Sequence, residues 1–219
     1  MSSELRKAEQ TALDAARATA RLINFANAVL RELATAVATH NRFRMLRTDP
    51  VRVSTGEQPL LLRYARAKTA GDLLPLRYLF APFVAPHAKL QAAGSERVQP
   101  FVLASLINSE ERPPSVVYGF LRDTEGRERH EEIFLEHFVL WLNETLGEAK
   151  AKASTFRDSY VVDQVLAARY GSHTVSARII FREMPLLDIN AENLPPRCQQ
   201  LAEWFDEILP ASREIPRPR

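Results

Sequence analysis

Cysteine is nearly missing from this 219-residue chain. Cys198 stands alone, so no intrachain disulfide can form, and the composition fits a reducing, cytoplasmic setting. Glycine is scarce as well, at 7 residues, and none falls in a GxxxxGK(S/T), GxGxxG or GxSxG pattern. That argues against the recognisable phosphate-cradling loops and against the strained turn that presents a nucleophilic serine. Long apolar runs are also lacking. Residues 22–38 are broken by Arg31 and Glu32, and residues 73–86 contain Arg77 and three prolines, so no membrane span is expected. Glu4, Glu9 and Asp14 occupy the stretch where a secretory leader needs an apolar core.

Metal-binding patterns fail on spacing. His130 and His137 are seven residues apart, ~10 Å along a helix, whereas one ion needs ligands at i and i+4. Phe134, three residues before His137, removes a Glu-x-x-His pair. No metal, cofactor or catalytic residue is therefore expected. Cys198 follows Pro195-Pro196 at a predicted helix start, which can lower a thiol pKa, but a half-buried structural role is the expectation. Asp158, Asp163, Glu183 and Asp188 lie on or near a predicted hairpin without the pattern of a metal nuclease. They are expected as outward strand charges that discourage edge pairing.

Among what is present, charge is the most uneven. The net value is only +2, yet residues 1–90 hold 14 Lys and Arg against 7 Asp and Glu, and residues 91–219 hold 15 against 20. Complementary halves suit docking between parts of the protein or between copies, or a basic face for an anionic partner. Arg outnumbers Lys 24 to 5, which points to coding from a GC-rich, bacterial genome. Arg42, Arg44, Arg47 and Arg52 form the densest basic segment, followed by Arg63, Arg66 and Lys68. Guanidinium binds phosphate bidentately, and Phe43 could stack on a base, so this segment is the candidate nucleic-acid contact. A basic helix end is equally favourable through the helix dipole.

Residues 3–47 contain neither Gly nor Pro and are rich in Ala, the best helix former. Leu5, Ala12, Thr19, Ala26 and Leu33 form one heptad row, and Ala8, Ala15, Leu22, Val29 and Ala36 the second. Ala16, Ile23, Leu30 and Val37 widen the stripe. Such a helix would be ~65 Å long, more than a domain of this size is wide. It is expected to pair with another subunit or protein, with Leu22, Ile23, Val29, Leu30, Leu33 and Val37 as the seam. The competing expectation is a helix folded onto its own domain, or broken into a hairpin near Asn24–Asn27.

After Pro50 the pattern is mixed. Short helices are expected over 59–68 and from Leu73 to Leu79, with a boundary at Gly94-Ser95. Strands follow at 101–108 and 115–122, then an amphipathic helix at 129–152 carrying Trp141. A hairpin of 160–169 and 174–184 and a helix at 197–209 burying Leu201, Trp204, Phe205 and Ile208 complete the order. The expectation is an α+β fold: a helical region 1–94, a β-β-α-β-β-α domain over 95–209, and a disordered tail 210–219. Its four-stranded antiparallel sheet would have two helices on one face and Arg178 and Arg182 on the exposed one. The functional expectation is a non-enzymatic interaction or adaptor protein, associating with itself or another protein through its N-terminal helix. A nucleic-acid-binding accessory protein is the alternative. An enzyme or small-ligand sensor with a pocket in the α+β domain is the weaker one.

Overall fold

A computed structural model describes residues 2–46, 51–54, 76–84, 98–106, 113–123, 153–167 and 174–215. The helices expected at 59–68 and 129–152, Trp141 and Arg47 lie outside these residues. The first element is an unbroken helix, α1, Ser2–His40, ~58 Å long. It stops seven residues before the expected end. Asn41 is fully buried and donates from Nδ2 to the Ala202 carbonyl at 2.9 Å, and Arg42 takes a left-handed φ of 56°. The chain then turns Phe43 inward, where it meets Phe205 edge-on at 5.6 Å.

Eight strands follow: β1 Arg44–Met45, β2 Val51–Ser54, β3 Leu76–Val84, β4 Val98–Ser105, β5 Ser115–Asp123, β6 Ser154–Phe156, β7 Ser159–Ala167 and β8 Thr174–Pro185. Seven lie in the order β1-β3-β4-β5-β8-β7-β6, and β2 pairs with β3 beside β1. All pairings are antiparallel. Two meanders, β2 to β5 and β6 to β8, are thus joined by β5 lying against β8. A second described helix, α2, Leu194–Ala211, and a 3₁₀ turn at Ser212–Glu214 are the last regular elements among the described residues. The fold is α+β as expected, but the sheet is about twice as wide as the four strands expected.

The extra width has local causes. A helix was expected from Leu73 to Leu79, because Gly71-Asp72 resembles a cap and Pro82 a breaker, but Leu76 to Leu79 belong to β3. In β3 the Pro82 carbonyl instead accepts from Leu46 N at 3.0 Å. Backbone N and O of one strand residue point to the same side, so the donor that proline lacks faces the gap between β1 and β2. The pairing of Pro82 with Phe101 of β4 is unharmed. β6 and β7 are linked by Arg157 and Asp158 at φ 45° and 58°, a two-residue turn of the kind usually made with Gly or Asn. The sheet also crosses the expected boundary at Gly94-Ser95, since β3 and β4 are neighbours.

Both faces of the sheet are buried. On one, Leu79, Ala81, Phe83, Val102, Ala104, Val116, Tyr118, Phe120 and Ile180 join a core with α1 and α2. On the other, Phe80, Phe101, Leu103, Val117, Leu121, Ile179 and Phe181 are buried as well. The expected placement of Arg178 and Arg182 on a solvent face is therefore corrected. Arg178 is 4% exposed and shares the helix-covered face with Arg122, its direct neighbour across β5 and β8. Like charges side by side are costly unless compensated. Arg178 forms a two-pronged pair with Asp163 at 2.6 and 3.0 Å. Arg122 and Arg178 also donate to the Ser212 and Ile215 carbonyls at 2.8 and 3.1 Å, at the negative end of α2. This clasp orders residues to Ile215, part of the stretch expected as a disordered tail.

Candidate functional site

α1 has two halves of opposite character. From Ala26 to Val37 its apolar positions are buried: Ala26, Leu30, Leu33, Ala34 and Val37 are all at 0% exposure and pack chiefly on α2, with contacts to β3 and β4. From Ser3 to Ala18 every residue is exposed, with Leu5 at 73% and Leu13 at 48%. Thr19, Leu22 and Ile23, half-buried, mark the passage between the two. A rod of ~25 Å therefore extends past the packed body. Local contacts support it: Gln10 donates to Asp14 at 3.0 Å, Arg17 pairs with Asp14 at 3.3 Å, and the Thr11 hydroxyl returns to the Lys7 carbonyl at 2.9 Å. The two side-chain pairs are worth only a few tenths of a kcal/mol each, and the Thr11 back-bond adds no stability. The packed half has already met the nucleation cost, which lets the exposed half propagate.

The nominated seam is thus corrected for four of its six residues. Val29, Leu30, Leu33 and Val37 are taken up by the protein's own core. Leu22 and Ile23 are half-buried at its edge. The reason is that α2 supplies Leu201, Phe205 and Ile208 to the same stripe. What stays open is the earlier part of the two rows, from Leu5 to Ala15.

The basic segment is described only in part. Arg42 and Arg44 are exposed, Arg52 pairs with Leu79 in the edge strand β2, and Arg47 falls outside the described residues. Phe43 is 5% exposed and packs on Phe83 and Phe205, so the ring nominated for base stacking is not offered to a ligand.

Asp158, Asp163 and Asp188 are exposed, as expected of outward charges, and Glu183 is half-buried. Asp163 holds Arg178, and Glu183 accepts from the Ser115 hydroxyl at 2.6 Å. Glu183 lines an open cavity of about 570 Å³ with Thr155, Arg157, Asp158, Ser159, Tyr160 and Arg182. The two guanidinium groups there are engaged. Arg182 ties down the turn by donating to the Arg157 and Asp158 carbonyls at 2.7 and 3.1 Å, and Arg157 reaches Glu207 and Glu214 at 3.5 and 3.4 Å. Tyr118, buried behind them against Trp204, has its hydroxyl pushed up by desolvation despite Arg182. Cys198 is half-buried, and burial followed by nearby Glu32 pushes its thiol up, opposite to the lowering a helix start can produce. Among the described residues, no group of three or more His, Cys, Asp or Glu converges as a metal site. No described helix is long and apolar enough to cross a membrane.

Compared with protein-family models, curated proteins and solved structures, this chain matches none. The functional reading therefore rests on geometry. The half-and-half nature of α1 escaped sequence reading because its apolar rows run through both halves with one spacing. One signal was present: the rows are almost all Ala and Thr before Leu22 and mostly larger after it. Larger residues mark where a core must be filled.

Proposed function

We propose that this chain is a non-enzymatic interaction protein. The sheet and α2 anchor the second half of α1, and the first half is held out to pair with a second copy or to dock on another protein. The observation that carries this reading is the exposure of Ser3 to Ala18 on a helix whose apolar rows continue without a break into the core. An apolar edge presented on a rigid element is how helix-in-groove and helix-pairing recognition work. The test is a truncation of residues 2–20, chosen because removing all of α1 would strip the core. Light scattering and partner capture should show association with the full chain and none with the truncated one. Both chains should have the same circular dichroism melting temperature. Equal association by both chains would refute the reading.

A second reading keeps Arg42 and Arg44, both exposed at the turn after α1, as an anion contact. Nucleic-acid binding there would fall steeply with salt, in proportion to the phosphates neutralised. No shift of DNA or RNA at ~50 mM salt would remove it.

A further inference from the structure

The cavity at the turn between β6 and β7 is independent of the exposed rod, and we propose that it binds a neutral polyhydroxylated ligand, a sugar. Two-residue hairpin turns with both φ values positive favour Asn or Gly, because other side chains crowd the backbone there. Here the two positions hold Arg157 at φ 45° and Asp158 at φ 58°. Unfavourable backbone of this kind is kept where a side chain has a use. Arg157 has a structural one, since it reaches Glu207 and Glu214 on the α2 side. Asp158 has no such use. Its side chain is fully exposed, Arg182 is 3.9 Å away, and among the described residues its carboxylate accepts no hydrogen bond. Both turn residues line the cavity of about 570 Å³.

The lining selects the class of ligand. It contains no aliphatic side chain, so an apolar molecule gains little there. Arg157 and Arg182 are balanced by Asp158 and Glu183, so a simple anion or cation meets a group of its own sign. A zwitterion would suit that balance, but its carboxylate would have to draw Arg182 from the turn carbonyls or Arg157 from its two glutamates. A sugar hydroxyl both donates and accepts, so it can face the acceptor-only carboxylate of Asp158 and the hydroxyl of Thr155 alike. Tyr160 supplies a platform. Its half-buried ring is stacked on Phe181 at 5.2 Å and 28° and lines the same cavity, where the C–H face of a pyranose can lie on it. Glu183 is held in place by the Ser115 hydroxyl at 2.6 Å, which orients its carboxylate before a ligand arrives. The cavity is open, so one ring of a larger glycan fits the same chemistry as a free sugar.

The test uses the full chain in two formats: ligand-observed NMR with free D-glucose, D-galactose, D-mannose and N-acetyl-D-glucosamine at millimolar concentration, and binding to an array of immobilised oligosaccharides. A signal from the free sugars supports a monosaccharide ligand, and a signal from the array alone supports one ring of a glycan. Asp158→Gly should weaken that binding at least about tenfold, the loss expected for one hydrogen bond to a charged group. Its melting temperature should hold or rise, because Gly fits the turn. No sugar bound in either format would overturn the proposal, and so would binding of glycine or inorganic phosphate in place of sugars. Sugar binding unchanged by Asp158→Gly would overturn the placement at this turn. A melting temperature lowered by Asp158→Gly would overturn the argument from the turn, by giving Asp158 a structural use.

Discussion

Arg178 and Asp163 show how much a single buried charge depends on its counter-ion. The guanidinium is 5% exposed and the carboxylate 37%, so the pair is partly screened. Asp163→Asn leaves a buried cation short of compensation and should lower unfolding free energy by about 2–3 kcal/mol, read by urea denaturation. Arg157→Ala removes ion pairs whose partners are more than half exposed, and should cost under about 1 kcal/mol. Gly119 is constrained differently. A Cβ there would collide with the Ile180 carbonyl and lie 2.8 Å from Phe181 Cα, and both neighbours are backbone of a central strand. Gly119→Ala should cost about 3 kcal/mol or more, seen as loss of folded protein on expression or a sharply lowered melting temperature. The raised thiol of Cys198 gives a kinetic expectation. At pH 8 it holds less thiolate than an ordinary cysteine, so a thiol reagent should label it more slowly than a free thiol, with the difference abolished by denaturant.

At the scale of elements, the two halves of α1 should separate cleanly. Leu33→Ala empties a fully buried position among α2 side chains and should cost about 3–5 kcal/mol, whereas removal of residues 2–20 should leave the melting temperature within a degree or two. The same division explains what was legible in the sequence. β7 and β8 were readable because alternation over 174–184 is strong, and α2 because Pro195-Pro196 opens it and Leu201, Trp204, Phe205 and Ile208 share a face. β3 was misread because Pro82 looks like punctuation until its pairing partners are known. The turn at Arg157 and Asp158 carries neither Gly nor Asn, so nothing announced a two-residue hairpin there. Arg178 and Arg182 were given to the wrong side because charge was equated with solvent. Strand alternation places them on one face with Ile180, but only tertiary contacts reveal that a helix end and a carboxylate meet Arg178 there. Four of the six seam residues were misassigned for the same reason: a heptad row records what must be covered and is silent on whether the cover comes from the same chain.

For the whole molecule, the account makes the body an anchor and the rod the working part. A 39-residue helix that commits only its second half to a core leaves an apolar edge that water solvates poorly. Pairing of that edge buries it at low entropic cost, because the helix is already formed. The most direct measurement is amide hydrogen exchange along α1 at several protein concentrations, alone and with any captured partner. The account predicts protection of residues 5–22 that rises with the concentration of the second copy or partner, while residues 26–40 stay protected throughout. Protection of 5–22 that never changes with the concentration of either would contradict it.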